Sequence, residues 1–172
     1  MTDIATDKVN TYLTFVLSEE QYAVNVTNVT SVVEFADITK VPQTPDYMRG
    51  IINLRGSVVP VIDLKLKFGM GETGKTIDSG ILIMEVKDGE ETVTFGVLAD
   101  SVEEVIELEP SQIEPTPKLG TSVDTEFIKG MGKKDEEFLI ILDIEKIFSE
   151  EELIEVSETE VSETGNENET EK

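Results

Sequence analysis

The sequence predicts an all-β protein made of two small five-stranded β-barrel subdomains packed together, with short helices at the barrel ends and a disordered acidic C-terminal tail. Three observations carry that reading. Short runs rich in Val and Ile recur between clusters of Gly, Pro, Asn and Asp, the pattern of many short strands. The second half of the chain repeats the first at nearly constant offsets. Beyond residue 155 the chain is acidic, free of aromatics and low in complexity, and cannot bury enough apolar area to offset its chain entropy.

Taken in order, residues 2–9 are polar and expected to fray. Residues 12–17 read as a strand, 18–20 as a turn, and 21–26 as a second strand with Tyr22, Val24 and Val26 on one side. A break near Thr27 and Asn28 leads to a third strand over 29–35. Pro42 and Pro45 make 41–46 a stiff connection, because proline resists both helix and central strand. Residues 51–54 and 58–62 then flank Arg55-Gly56, where glycine supplies the positive φ of a tight hairpin. Pro60 lacks an N–H, so the second strand of that hairpin is expected at an edge or with a bulge there. Asp63 is placed to cap a short helix over 64–68.

After a glycine-rich linker, the pattern recurs. Tyr22, Val29, Val32, Val33 and Glu34 become Phe95, Val102, Val105, Ile106 and Glu107, 73 positions on. Gly50, Asp63 and Phe68 become Gly130, Asp143 and Phe148, 80 positions on. The extra residues fall after the Pro115–Pro117 connection, and insertions gather in loops when two units share a fold. Barrel one is thus expected at about 10–68 and barrel two at about 79–148. A terminal helix over 143–154 closes a domain spanning 10–155, and 156–172 forms the tail. The second hairpin tip, Lys133-Lys134-Asp135-Glu136-Glu137, carries neither arginine nor proline.

Composition removes several function classes. The chain has no cysteine and no histidine, so disulfides, thiolate metal sites and the commonest general base are absent. The formal net charge is −23, of which residues 149–172 contribute −9. Such a chain is repelled by nucleic acid and by anionic lipid. No apolar run is long enough for a membrane span, and the first residues lack a secretory pattern, so a cytoplasmic protein without direct membrane insertion is expected. The carboxylates are scattered over turns and the tail; no catalytic constellation appears, and neither cofactor nor metal is implied.

One motif requires weighing. Gly69-x-x-x-x-Gly74-Lys75-Thr76 fits the phosphate-binding P-loop pattern. A working P-loop needs a strand before it and a helix N-terminus at the lysine. Here a helical turn precedes it, and residues 81–86 alternate like a strand soon after it. Nucleotide binding is the alternative reading, and a linker is the expected one.

Residues 48–64, M-R-G-I-I-N-L-R-G-S-V-V-P-V-I-D-L, hold both arginines of the chain, Arg49 and Arg55. This stretch closely resembles the signature of CheW, the adaptor of bacterial chemotaxis, and of the related regulatory domain of the kinase CheA. The resemblance covers about residues 12–148. It implies a non-catalytic adaptor coupling the cytoplasmic signalling tips of chemoreceptors to the histidine kinase CheA in membrane-associated arrays. Arg55, Asn53, Gly50 and Gly56 match the signature hairpin. Val29 and Val105 match positions implicated in receptor or kinase contact, with Val32 and Val102 their neighbours in the repeat. Core packing is the plain alternative for the four valines. Arg55 either contacts a partner or braces its own hairpin. Ser31 stands where family members often carry an acidic residue, and the acidic tail is no part of the family pattern. A fragment of CheA, or of an adaptor fused to a receiver domain, is a second use of the module; neither a kinase core nor a receiver's βαβ pattern is present.

Overall fold

The computed structural model describes residues 10–35, 37–115 and 127–147. Their strands are β1 (Asn10–Leu17), β2 (Glu20–Asn25), β3 (Val29–Glu34), β4 (Met48–Leu54), β5 (Ser57–Ile62), β6 (Gly80–Asp88), β7 (Glu91–Ala99), β8 (Ser101–Leu108), β9 (Ile113–Glu114), β10 (Ile128–Lys134) and β11 (Glu137–Leu142). One α-helix, α1 (Leu64–Lys67), follows β5, and Asp63 caps it as its residue type predicts, accepting from the N–H groups of Lys65 and Leu66. The described residues are all-β apart from this helix and short 3-10 turns.

The strands form two curled sheets. One has six strands in the order β8-β1-β2-β11-β10-β9; the other has five in the order β3-β6-β7-β5-β4. The six-stranded sheet curls far enough that Lys134 on β10 reaches Glu104 on β8 at 3.6 Å.

The expected grouping into 10–68 and 79–148 needs correction. Each sheet takes strands from both halves: β1 and β2 join the second half, and β6 and β7 join the first. The chain changes sheet at the 3-10 turn Val26–Asn28 and again at Asp100, between β7 and β8. The physical reason is that neither connection has the positive-φ pair that reverses the chain at Ser18-Glu19, Arg55-Gly56 and Asp135-Glu136, so the chain runs on into the other sheet. The repeat itself is expressed in the pairing. β5 runs parallel to β7 with Val61 opposite Gly96. At the same offsets, β11 runs parallel to β2 with Ile141 opposite Ala23.

Pro60 also differs from expectation. β5 is not an edge, since it lies between β4 and β7. Pro60 stands opposite Ile51, whose own N–H and C=O turn away to Thr39. The proline nitrogen therefore faces β7, where pairing begins only at Val61, and no ladder bond is lost. The register shift lies in β4, between Met48 and Gly50.

The core is in three parts. Tyr12, Ala23, Ile106, Leu108, Leu139 and Ile141 fill the six-stranded sheet. Ile52, Val59, Val61, Ile81, Ile83 and Leu98 fill the five-stranded one. The largest cluster joins the two sheets and includes Phe15, Leu17, Leu82, Met84, Phe95 and Leu142. Each fully buried side chain of this size contributes about 1.5–3 kcal/mol. The inter-sheet space is thus packed rather than open. Of the expected terminal helix, residues 144–146 form a turn with Ile144 and Ile147 buried; its remainder, Phe148 and the tail lie outside the described residues.

Candidate functional site

The β4–β5 hairpin is fixed at both ends. At its tip, Arg55 and Gly56 have φ of 53° and 88°, the left-handed pair that a two-residue turn requires. The Asn53 Oδ1 accepts the Gly56 N–H at 2.9 Å and closes the turn. Arg55 is exposed, and among the described residues no hydrogen bond or ion pair engages its guanidinium. The tip is therefore braced by Asn53, not by Arg55.

At its base, Arg49 Nη1 donates to Asp63 Oδ2 at 2.8 Å and to the Thr73 carbonyl at 2.9 Å. The Thr73 N–H donates to Asp63 Oδ2 at 2.9 Å and its hydroxyl to Oδ1 at 2.8 Å. Asp63 and Thr73 are fully buried, while the Arg49 side chain is 21% exposed. A carboxylate with no water around it needs this many donors. The Arg49 guanidinium also lies 6.0 Å from the Phe35 ring centroid. Sequence reasoning missed this clasp. Its one legible signal was Asp63 at the helix start, with Arg49 near the opposite end of the same hairpin. Thr73 gave none, because its backbone does much of the bonding.

The clasp also accounts for the P-loop-like segment. Thr73 is held inside it by Asp63, and Thr76 and Ser79 bond each other through their hydroxyls at 3.0 Å. β6 begins at Gly80 with no intervening helix. Phosphate would meet no helix N-terminus here. The segment latches the hairpin base.

Gly50 sits where another chain segment crosses. A Cβ there would stand 2.1 Å from the Thr39 carbonyl oxygen, and its φ is 143°. Thr39 and Ile51 exchange two backbone hydrogen bonds, at 2.9 and 2.8 Å, which need that approach. Beside this crossing lies a cleft of about 530 Å³, lined among others by Lys40, Pro42, Pro45, Met48, Leu66 and Glu72.

The valines divide. Val29 and Val102 are partly buried against the inter-sheet core. Val32 and Val105 are 46% and 56% exposed. Val32 and Val102 both flank Gly80, where an added Cβ would lie 4.0 Å from one and 3.3 Å from the other. Val105 stands opposite Leu13 on β1.

The twin hairpin shares the backbone and reverses the charge. Asp135 and Glu136 have φ of 49° and 70°, at the places of Arg55 and Gly56. Elsewhere two tyrosines are perturbed. Burial raises the Tyr12 phenol, and burial with nearby Glu20 raises that of Tyr22. Among the described residues no cluster of acidic side chains has the form of a metal site, and no helix is long and apolar enough to cross a membrane.

Comparison with known proteins agrees with this architecture. The family model for the CheW-like domain matches residues 11–152. A chemotaxis protein CheW from Klebsiella aerogenes is 34% identical over 142 residues, covering 83% of each chain. One from Thermotoga maritima is also 34% identical, over 80% of this chain and 87% of its own. The crystal structure of the scaffolding protein TtCheW from Thermoanaerobacter tengcongensis superposes with a TM-score of 0.72 at 41% identity, covering 81% of this chain and 88% of that one. With its two exchanged sheets, its signature hairpin and a family match across most of its length, this chain belongs to the CheW family of chemotaxis scaffolds.

Proposed function

We propose that this protein is a non-catalytic adaptor of the cytoplasm. It couples the cytoplasmic signalling tips of chemoreceptors to the regulatory domain of the histidine kinase CheA, at membrane-associated receptor arrays. The observation that carries the reading is the presentation of Arg55. A guanidinium that has no partner among the described residues stands on a turn braced by Asn53 and on a hairpin clamped by Arg49 and Asp63. A planar guanidinium can fork two hydrogen bonds onto one carboxylate of a partner, and so loses less entropy per bond than an ammonium would. Asn53, Gly50 and Gly56 serve that presentation. Exposed Val32 and Val105, with the partly buried Val29 and Val102, supply apolar contact for a receptor's helical tip.

The test is a pull-down with receptor cytoplasmic fragment and kinase together, comparing wild type with Arg55→Ala. The wild type retains both partners. Arg55→Ala loses at least one while keeping its melting temperature. Full retention of both by the variant overturns the role given to Arg55, and failure of the wild type to retain either overturns the adaptor reading.

A further inference from the structure

The two hairpin bases are built alike. The Asp63 N–H donates to the Tyr47 carbonyl at 2.7 Å, and the Asp143 N–H, 80 positions on, donates to the Phe127 carbonyl at 2.9 Å. From each aspartate the chain turns, as α1 in the first copy and over residues 144–146 in the second. Phe68, just past α1, stacks on Phe127 of the other copy with ring centroids 5.8 Å apart. The residue at the place of Phe68 is Phe148, and the residue at the place of Phe127 is Tyr47. The repeat therefore directs the chain beyond the buried Ile147 across to Tyr47, the reciprocal of the contact already made.

Tyr47 precedes Met48 on the wall of the cleft of about 530 Å³ beside the Thr39–Ile51 crossing. Pro42, Pro45, Met48 and Leu66 give this cleft an apolar lining. Lys40 and Arg49 also line it, both on the same side of the Thr39–Ile51 bridge. Arg49 uses Nη1 for Asp63 and Thr73, and its other two nitrogens make no hydrogen bond among the described residues. Lys67 adds a third cation, 4.6 Å from the Tyr47 ring centroid. Asp46 and Glu72 line the cleft as well, so charge alone does not select its occupant. The occupant must bring apolar side chains together with its carboxylates.

Residues 148–155 bring both. Phe148, Leu153 and Ile154 are apolar, and Glu150, Glu151, Glu152 and Glu155 are acidic. From 156 onward only Val156 and Val161 are apolar. Leu153 lies six positions past Ile147, a reach of up to ~20 Å. We infer that residues 148–155 of this chain dock along this wall, with Phe148 on Tyr47, Leu153 and Ile154 in the cleft, and the glutamates toward Lys40, Arg49 and Lys67. Docked there, the segment closes over the base of the hairpin that carries Arg55 and keeps solvent from screening the Arg49–Asp63 pair. The inference stands whether or not the partners are those proposed above.

The chain has no cysteine, so a nitroxide on Ser157→Cys marks the end of the segment without altering it. In the isotope-labelled full chain, the amide signals of Val41, Thr44 and Leu66 at the cleft are expected to lose most of their intensity to the nitroxide. Those of Gly56 and Gly89, at the far end of the same sheet, are expected to keep theirs. Leu153→Asp with Ile154→Asp, which keeps the segment acidic, is expected to restore the cleft signals. Lys40→Glu, a change at an exposed residue, is expected to restore part of them. Cleft signals no weaker than those of Gly56 and Gly89 overturn the docking, as does a loss that persists in the Leu153, Ile154 variant. A loss that Lys40→Glu leaves unchanged overturns the placement of the glutamates. An equal loss with label and isotope on separate molecules makes the occupant a second copy and overturns docking within one chain.

Discussion

The Arg49 guanidinium and the Asp63 carboxylate meet at 2.8 Å, one near the start of β4 and the other just past the end of β5. They close the base of a hairpin whose tip is Arg55, and Thr73 seals the contact from the linker side. Removing Asp63 strands a cation, uncaps α1 and frees the linker at once. Asp63→Ala is therefore expected to destabilise the protein by ~3–5 kcal/mol in urea unfolding. Thr73→Ala, which removes one hydroxyl from a carboxylate that keeps other donors, is expected to cost only ~1–2 kcal/mol.

The two hairpin glycines are predicted to behave differently. Gly56→Ala meets nothing within 4 Å and suffers only its positive φ, for a loss of about 1 kcal/mol. Gly50→Ala drives a methyl into the Thr39 carbonyl, which cannot yield without breaking the Thr39–Ile51 bridge. A loss above ~2 kcal/mol is expected, with faster hydrogen exchange at the Ile51 amide. Equal losses at the two positions would contradict the crossing described here.

Glu136 holds φ 70° without being glycine, where its twin in the first hairpin is Gly56. Glu136→Gly is expected to stabilise the chain by ~0.5–1 kcal/mol, seen as a raised melting temperature. An unchanged or lowered melting temperature would show that the carboxylate is held there by contacts that offset the strain.

The two raised tyrosines predict an alkaline limit. A phenol whose pKa is higher folded than unfolded contributes stability that is fully present below the unfolded value of 10.0 and is lost as pH rises through the folded one. Thermal melts are expected to fall above pH 10, and the double variant Tyr12→Phe, Tyr22→Phe is expected to fall less steeply.

Much of this was legible in the residues. The all-β class, the Arg55-Gly56 turn, the Asp63 cap and the twofold repeat all follow from local pattern, because turns, caps and alternation are local physics. Strand exchange was not legible. β1 and β6 have equivalent apolar patterns, as do β2 and β7, so nothing in the pattern of either copy says which partner it joins. That choice is set at Val26–Asn28 and Asp100, where no positive-φ pair turns the chain back on itself. Arg49 and Thr73 were overlooked for a related reason. Their bonds to Asp63 exist only once the hairpin and the linker have both folded. The valines were legible as a group but not individually, since equal residue types end up partly buried at Val29 and exposed at Val105.

The central claim is that the Arg55 guanidinium serves a partner and not the fold. Calorimetric titration of the CheA regulatory domain with wild type and Arg55→Ala, alongside urea unfolding of each, tests it most directly. The predicted result is affinity weakened by ~2 kcal/mol, with unfolding free energy unchanged within about 0.5 kcal/mol. Unchanged affinity, or a loss of stability matching the loss of binding, would contradict it.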